Sequence, residues 1–307
     1  MSVMKRLTLL FICILSLQLN VVTAQSRYKK YDSIFYERIF SPTFSTMMMP
    51  KGYVEVILSN SLLSTNQYWS DNSKLINYNS RYTYNYSLLQ TNIGVSSSSR
   101  VSVGFDFYYT MGRNDAERNS SPFHVFNSNA PGNIQSASAL SAIAPRIKLV
   151  PFKRYKNFIF QTSLYLLMIS NNSVKTFLGA SETSLRNQFL YSIKISRKLM
   201  SFAQADVDVY FKSNNAGESN RYAVPVNLYL YWIATNHIFP YASIGYGTQF
   251  QKLNDKFQSN YNYVPVIAGV QYQFSLRFNV NVNYSQYLVA RNSGDWRSFN
   301  IALRGVF

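Results

Sequence analysis

The chain has a single cysteine, Cys13, and it lies within the first 24 residues. The remainder therefore has no disulfide, no thiolate nucleophile and no thiolate metal site, and a small disulfide-stapled secreted domain is excluded. Long apolar runs are also missing: after residue 24, nothing approaches the roughly 20 apolar residues of a membrane-crossing helix. Charge is scarce, with Asp, Glu, Lys and Arg at 14% of the chain, against about a quarter in an ordinary soluble domain. Histidine is nearly absent, leaving only His124 and His237 as imidazole acid–base candidates. No hydrolase elbow, metal-ligand spacing or phosphate-binding glycine loop occurs, so no catalytic set, metal or cofactor is expected.

Aromatic residues are plentiful, at 16% of the chain with 25 Tyr and 22 Phe. Low charge, abundant Tyr and Phe and no apolar helix together suit a membrane β-barrel, whose signal is weak in any one strand. Basic residues outnumber acidic ones, 30 to 13. That excess fits an anionic partner, such as lipopolysaccharide phosphates or anionic solutes. It also fits solvated charge spread over loops and turns. The basic residues do not cluster on one motif, which argues against nucleic acid.

Residues 1–24 have the form of a secretory signal peptide: Lys5 and Arg6, the apolar stretch Leu7 to Leu17, then Val22-Thr23-Ala24 as a small-residue cleavage site. Residues 25–52 lack alternation and are expected to form a periplasmic extension or a plug in the lumen. Residues 53–307 alternate. Ala203, Ala205, Val207 and Val209 oppose Gln204, Asp206 and Asp208. Phe278, Val280, Val282 and Tyr284 oppose Asn279, Asn281 and Asn283. A period of two gives each strand an apolar and a polar face. About twelve such segments follow one another, an even count as in bacterial barrels. Near Leu88-Leu89 the apolar phase changes, from Tyr82, Tyr84 and Tyr86 to Leu89, Thr91 and Ile93, which predicts a bulge or a rim.

The connections alternate in length. Those at 64–80, 112–135, 171–183, 213–220, 252–260 and 291–295 are long, and those between them are short. Short turns on one side and long loops on the other is the barrel rule, and it places both termini in the periplasm. Aromatics near strand ends predict two girdles, with Phe158, Tyr272, Phe274, Phe278 and Phe307 at the periplasmic rim. Tyr82, Tyr84, Phe107, Tyr109, Phe250 and Trp296 are expected at the outer one.

The last segment, Trp296 to Phe307, ends the chain on an aromatic at a strand position. With the leader and the dyad strands, it resembles the outer-membrane β-barrel proteins of Gram-negative bacteria. Gln25 directly after the cleavage site and the Tyr/Asn-rich strands resemble proteins of the Bacteroidota. The resemblance implies an all-β, transmembrane, antiparallel up-and-down barrel in the outer membrane. Its implied partners are the barrel-assembly machinery, which reads the strand ending in Phe307, and lipid and lipopolysaccharide around the barrel.

The inward phase carries the candidate lumen residues Glu55, Asp106, Arg146, Lys148, Lys194, Asp206, Asp208, Lys212 and Arg304. A face this polar implies a narrow or gated passage for small polar solutes. Asp206 and Asp208 sit two apart on one strand, both inward and about 7 Å apart. They form either a paired-carboxylate site or part of a charge ladder neutralised by lumen Lys or Arg, and the ladder is favoured because buried like charges need such partners. His124, in the longest connection, and His237, in a short turn, are expected to be surface or loop-packing residues. Besides a channel, two functions stay open: a non-conducting secretion, adhesion or assembly barrel, and an outer-membrane hydrolase.

Overall fold

The computed structural model describes residues 48–180, 182–211, 220–253 and 256–307. Twelve antiparallel strands follow in chain order: β1 Val54–Trp69, β2 Leu75–Gly94, β3 Val101–Asp115, β4 Asn133–Leu149, β5 Phe158–Leu167 and β6 Ser184–Lys194. Then come β7 Leu199–Tyr210, β8 in two pieces (Arg221–Ala223 and Val226–Trp232), β9 Ile238–Leu253, β10 Lys256–Gln273, β11 Phe278–Arg291 and β12 Arg297–Val306. Each strand pairs with the next, and β12 pairs with β1 from Glu55↔Val306 to Ser64↔Arg297. The sheet is thus closed and leaves no edge. The seam is finished by Val54 and Phe307, whose amides each donate to the other's carbonyl, at 3.0 and 2.8 Å. The Phe278 and Phe307 rings meet edge to face, 5.7 Å apart.

Alternation decides the two faces. Phe105, Ile147, Leu166, Ile193, Leu228, Ile244 and Leu303 point outward and are exposed. They form an apolar surface of the kind that hydrocarbon covers. Inward positions hold most of the buried polar residues; Ser64, Thr83, Arg113 and Asp115 are outward and are covered by the 116–132 connection. Proline marks two of the irregularities, because it has no N–H for the ladder. β8 breaks at Val224-Pro225, and the β10–β11 register shifts between Val264 and Pro265.

The connections 95–100, 150–157, 195–198, 233–237 and 274–277 lie at the same end as Val54 and Phe307, here called the terminal end. The opposite, loop end differs from the expectation in a simple way. Residues 64–80 are mostly not loop: β1 and β2 continue as a hairpin through Trp69↔Leu75, after a bulge between Thr65 and Gln67. β9 and β10 likewise continue to Leu253↔Lys256. Polar side chains on these extensions hid their strand character, but ladder hydrogen bonding extends regardless of polarity.

Among the described residues, two long connections at this end fold back on the barrel. Residues 116–132 carry a 3₁₀ turn, Pro122–Phe126, which packs on the outer side of β1–β3. Arg113 fastens it, with Nη1 donating to the Asn127 carbonyl and Nη2 to that of Ala130, each at 2.7 Å. Residues 168–180 carry one short helix, α1 Asn172–Phe177, whose end sets Phe177 and Leu178 against Gly112 in the mouth of the barrel.

Candidate functional site: the barrel interior

The expected phase change near Leu88-Leu89 does not occur. Cross-strand pairs run without a shift from Val54↔Ile93 to Thr65↔Tyr82, and from Gly94↔Ser102 to Arg81↔Asp115. Tyr82, Tyr84 and Tyr86 therefore share the inward phase of Gln90 and Asn92, and the first two are not girdle residues. The apolar residue that yields is Leu88, which turns inward and is partly buried. Trp296 also faces the mouth, with its ring 5.8 Å from that of Tyr84. The terminal-end girdle fits better: Tyr272 and Phe274 are exposed and pack edge to face, 4.9 Å apart.

Most charged residues inside the barrel come in pairs. Arg304 Nε donates to Glu55 Oε1 at 2.5 Å, between β12 and β1. Arg146 Nη2 lies 3.0 Å from Asp106 Oδ1, between β4 and β3, and Gln90 donates to the other carboxylate oxygen at 3.3 Å. Lys148, on the same phase of β4 as Arg146, is 1% exposed and within electrostatic reach of Glu55 and Asp106. On the opposite wall Arg186 clamps Asp208 with two bonds, at 2.8 and 3.0 Å. Asp206 accepts from Gln188 at 3.1 Å and from Gln204 at 2.9 Å. The two aspartates thus belong to a ladder: one is neutralised by arginine and the other is held by amides. Nearer the mouth, Arg221 pairs with Glu182 at 2.7 Å.

Of the candidate lumen residues, Glu55, Asp106, Arg146, Lys148, Asp206 and Asp208 are buried, and Arg304 is nearly so. Lys194 keeps the inward phase but ends β6 at the rim, and it is exposed. Lys212 lies outside the described residues. Arg186 was missed, although it sits two positions before Gln188 on the same phase. Tyrosine forms a second, unanticipated lining. Tyr263 stacks on Tyr287 at 4.6 Å and near Tyr261 at 5.8 Å. The Tyr108 and Tyr165 hydroxyls lie 3.2 Å apart. The Arg186 guanidinium sits over the Tyr165 ring at 5.3 Å, and that of Arg221 over Tyr210 at 5.4 Å, a cation–π arrangement.

The terminal end is filled by the start of the described chain. Met48 packs among Val150, Ile159, Leu190, Phe202, Tyr229, Tyr231 and Tyr241. Met49 is 0% exposed and packs with Val306 and Tyr53. Lys51 bridges in parallel to Gly94, and the Gly52 amide donates to the Gly94 carbonyl at 2.9 Å. A Cβ on Gly94 would overlap the carbonyls of Met49 and Pro50. Gly112 plays the same part at the mouth, where a Cβ would press on Leu178, Phe177 and Tyr84. Glycine within a strand marks a close approach of this kind, and both glycines lie on the inward phase. That pattern was the available sequence signal for the two inserted segments.

At the loop end a cleft of ≈ 610 Å³ opens between Tyr82, Tyr84 and Gln135 of the wall and Asn172, Ser173, Thr176 and Phe177 of α1. The Tyr84 hydroxyl donates to the Phe177 carbonyl at 3.0 Å and ties the two sides together. His124 Nδ1 lies 3.9 Å from Asp115 Oδ2, within the packed 116–132 connection. His237 Nδ1 donates to the Gln273 carbonyl at 2.7 Å, in a turn at the terminal end. The His237 bond holds its turn in place, and the His124 pair is ionic only when the imidazole is protonated. Among the described residues, no group of three or more His, Cys, Asp or Glu gathers as a metal site.

No protein-family model matches the sequence, and no curated protein matches it. Solved structures do match. An outer membrane channel from Pseudomonas putida F1 superposes with a TM-score of 0.64 at 15% identity, over 88% of this chain and 100% of that one. The β domain of the Bordetella autotransporter Brka superposes with a TM-score of 0.51 at 13% identity, over 82% of this chain and 100% of that one. At such identities the likeness is one of fold: a closed antiparallel barrel of the type found among outer-membrane proteins.

Proposed function

We propose that this chain is a gated outer-membrane channel for small polar solutes. In this reading residues 1–24 direct export, residues 25–52 plug the lumen, and residues 53–307 span the membrane with both termini in the periplasm. The apolar exterior and polar interior support the location, as does the likeness in fold to the Pseudomonas channel. Phe307, paired with Val54 at the seam, is where assembly machinery would read the last strand. Lipid and lipopolysaccharide would surround the barrel. The Tyr/Asn-rich strands and Gln25 favour a Gram-negative, Bacteroidota-type source.

The observation that carries the gated reading is the seating of Met48 and Met49 inside the terminal end, where inward-facing apolar and aromatic side chains receive them. Barrels of about eight strands are filled by their own side chains, and those of sixteen or more leave open channels. Twelve strands leave a bore narrow enough for one chain segment to close. Planar-bilayer recording of refolded protein tests this. The full chain is expected to stay mostly closed and a form lacking residues 25–50 to conduct; a folded, truncated barrel that never conducts would defeat it. Any anion preference is expected to be slight, since Arg304, Arg146, Arg186 and Arg221 each face a carboxylate. Its sign follows from the reversal potential in a salt gradient.

A second reading, a secretion or assembly barrel, draws on the same entry of the N-terminal segment into the lumen. A stoichiometric partner on purification from membranes, with no conductance in either form, would favour it. The hydrolase reading gains nothing from His124, which lies in the packed 116–132 connection, or from His237, which is bound to the Gln273 carbonyl in a turn.

A further inference from the structure

The cleft at the loop-end mouth has a composition of its own. Its floor is aromatic, from Tyr82, Tyr84 and Phe177, and its rim is amide and hydroxyl, from Gln135, Asn172 and Thr176. Every lining residue is uncharged. Its volume, ≈ 610 Å³, falls within the range of about 300–1,000 Å³ typical of small-molecule sites. Two elements far apart in sequence, β2 and α1, are locked together by the Tyr84–Phe177 bond, so the floor is built before any ligand arrives.

We propose that this cleft binds a neutral carbohydrate at the entrance to the barrel, a reading that rests on the channel assignment above for its biological sense only. The ring face of a sugar is a sheet of C–H groups, which the electron-rich face of an aromatic ring attracts. Its rim is hydroxyls that both donate and accept, and side-chain amides match them because they also do both. An anionic solute would find no cation in the lining. A purely apolar one would make no use of the rim amides and hydroxyls, which are exposed. The ligand is either a free oligosaccharide or the end of a longer glycan.

The test is calorimetry on the full chain refolded in detergent, titrated with maltose, with a long dextran and with benzoate. Maltose is expected to bind with Kd on the order of 1 mM and benzoate not to bind. Tyr82→Ala is expected to weaken maltose about tenfold, the upper range for one aromatic face. Gln135→Ala is expected to weaken it severalfold, and Tyr82→Phe to retain it. Heat-modifiable gel migration confirms that each variant is folded. Maltose binding alone identifies free sugars as the ligand class, and equal binding of dextran identifies glycan ends. Absence of maltose binding, binding unchanged in both alanine variants, or tighter binding of benzoate would overturn the proposal. No current is measured, so a barrel that fails to conduct leaves this result intact, and a conducting barrel that ignores maltose refutes this inference alone.

Discussion

Gly94→Val isolates the plug from the barrel that holds it. Gly94 closes β2 with an ordinary negative φ, so a β-branched residue suits the strand itself. Its Cβ, however, would occupy the space of the Met49 and Pro50 carbonyls. Those are backbone atoms and cannot rotate aside. Residues 48–52 must therefore leave, taking with them the bond from Gly52 to the Gly94 carbonyl and the burial of two methionines. Burying each methionine contributes about 1.5–3 kcal/mol. The docking equilibrium should thus shift by about 3–6 kcal/mol, or roughly two to four powers of ten. The absence of cysteine after Cys13 provides a clean assay: Met49→Cys introduces one thiol at a position that is 0% exposed in the parent. In the refolded barrel this thiol should react slowly with a maleimide. Adding Gly94→Val should raise the rate by at least a hundredfold, and channel open probability should rise in parallel. Equal labelling rates with and without Gly94→Val, in barrels that both migrate as folded, would refute the docking argument.

Three further outcomes are expected. Asp106→Ala leaves Arg146 buried without its carboxylate, which should cost about 3–5 kcal/mol in urea unfolding from lipid vesicles. Asp208→Ala should cost less, about 1–2 kcal/mol, because Arg186 retains its stack on Tyr165 and is partly exposed; a larger loss than for Asp106→Ala would contradict the burial argument. Arg113→Ala removes the bonds that fasten residues 116–132 to the barrel, so protease added outside vesicles should cut that connection at least about tenfold faster, while the barrel core stays resistant.

Much of the fold was legible because a barrel strand has to satisfy two solvents at once. Strands such as β7 and β11 show this plainly: Asp206 and Asp208, or Asn279, Asn281 and Asn283, recur every second residue against apolar neighbours. The interior was legible as a list of polar residues but not as pairs. Asp206 and Asp208 lie on one strand, and only the register of β6 against β7 brings Arg186 opposite Asp208. The tyrosines misled for a physical reason. Tyrosine suits both a lipid boundary and a polar lumen, because its ring is apolar and its hydroxyl is not. A run such as Tyr82-Thr83-Tyr84-Asn85-Tyr86 therefore has two permissible orientations, and pairing with β1 and β3 selects one.

The alternation of residues by itself determined that this chain closes a sheet of about twelve strands, with a polar inside and an apolar outside. It did so because side chains two apart on a strand share a face whatever else the chain does. The tertiary structure alone decided what fills the barrel. Met48 and Met49 at one end and Phe177 and Leu178 at the other enter the interior. Nothing periodic marks either segment. Only two strand glycines, Gly94 and Gly112, leave room for them, and the space they leave becomes meaningful once the strands are set side by side.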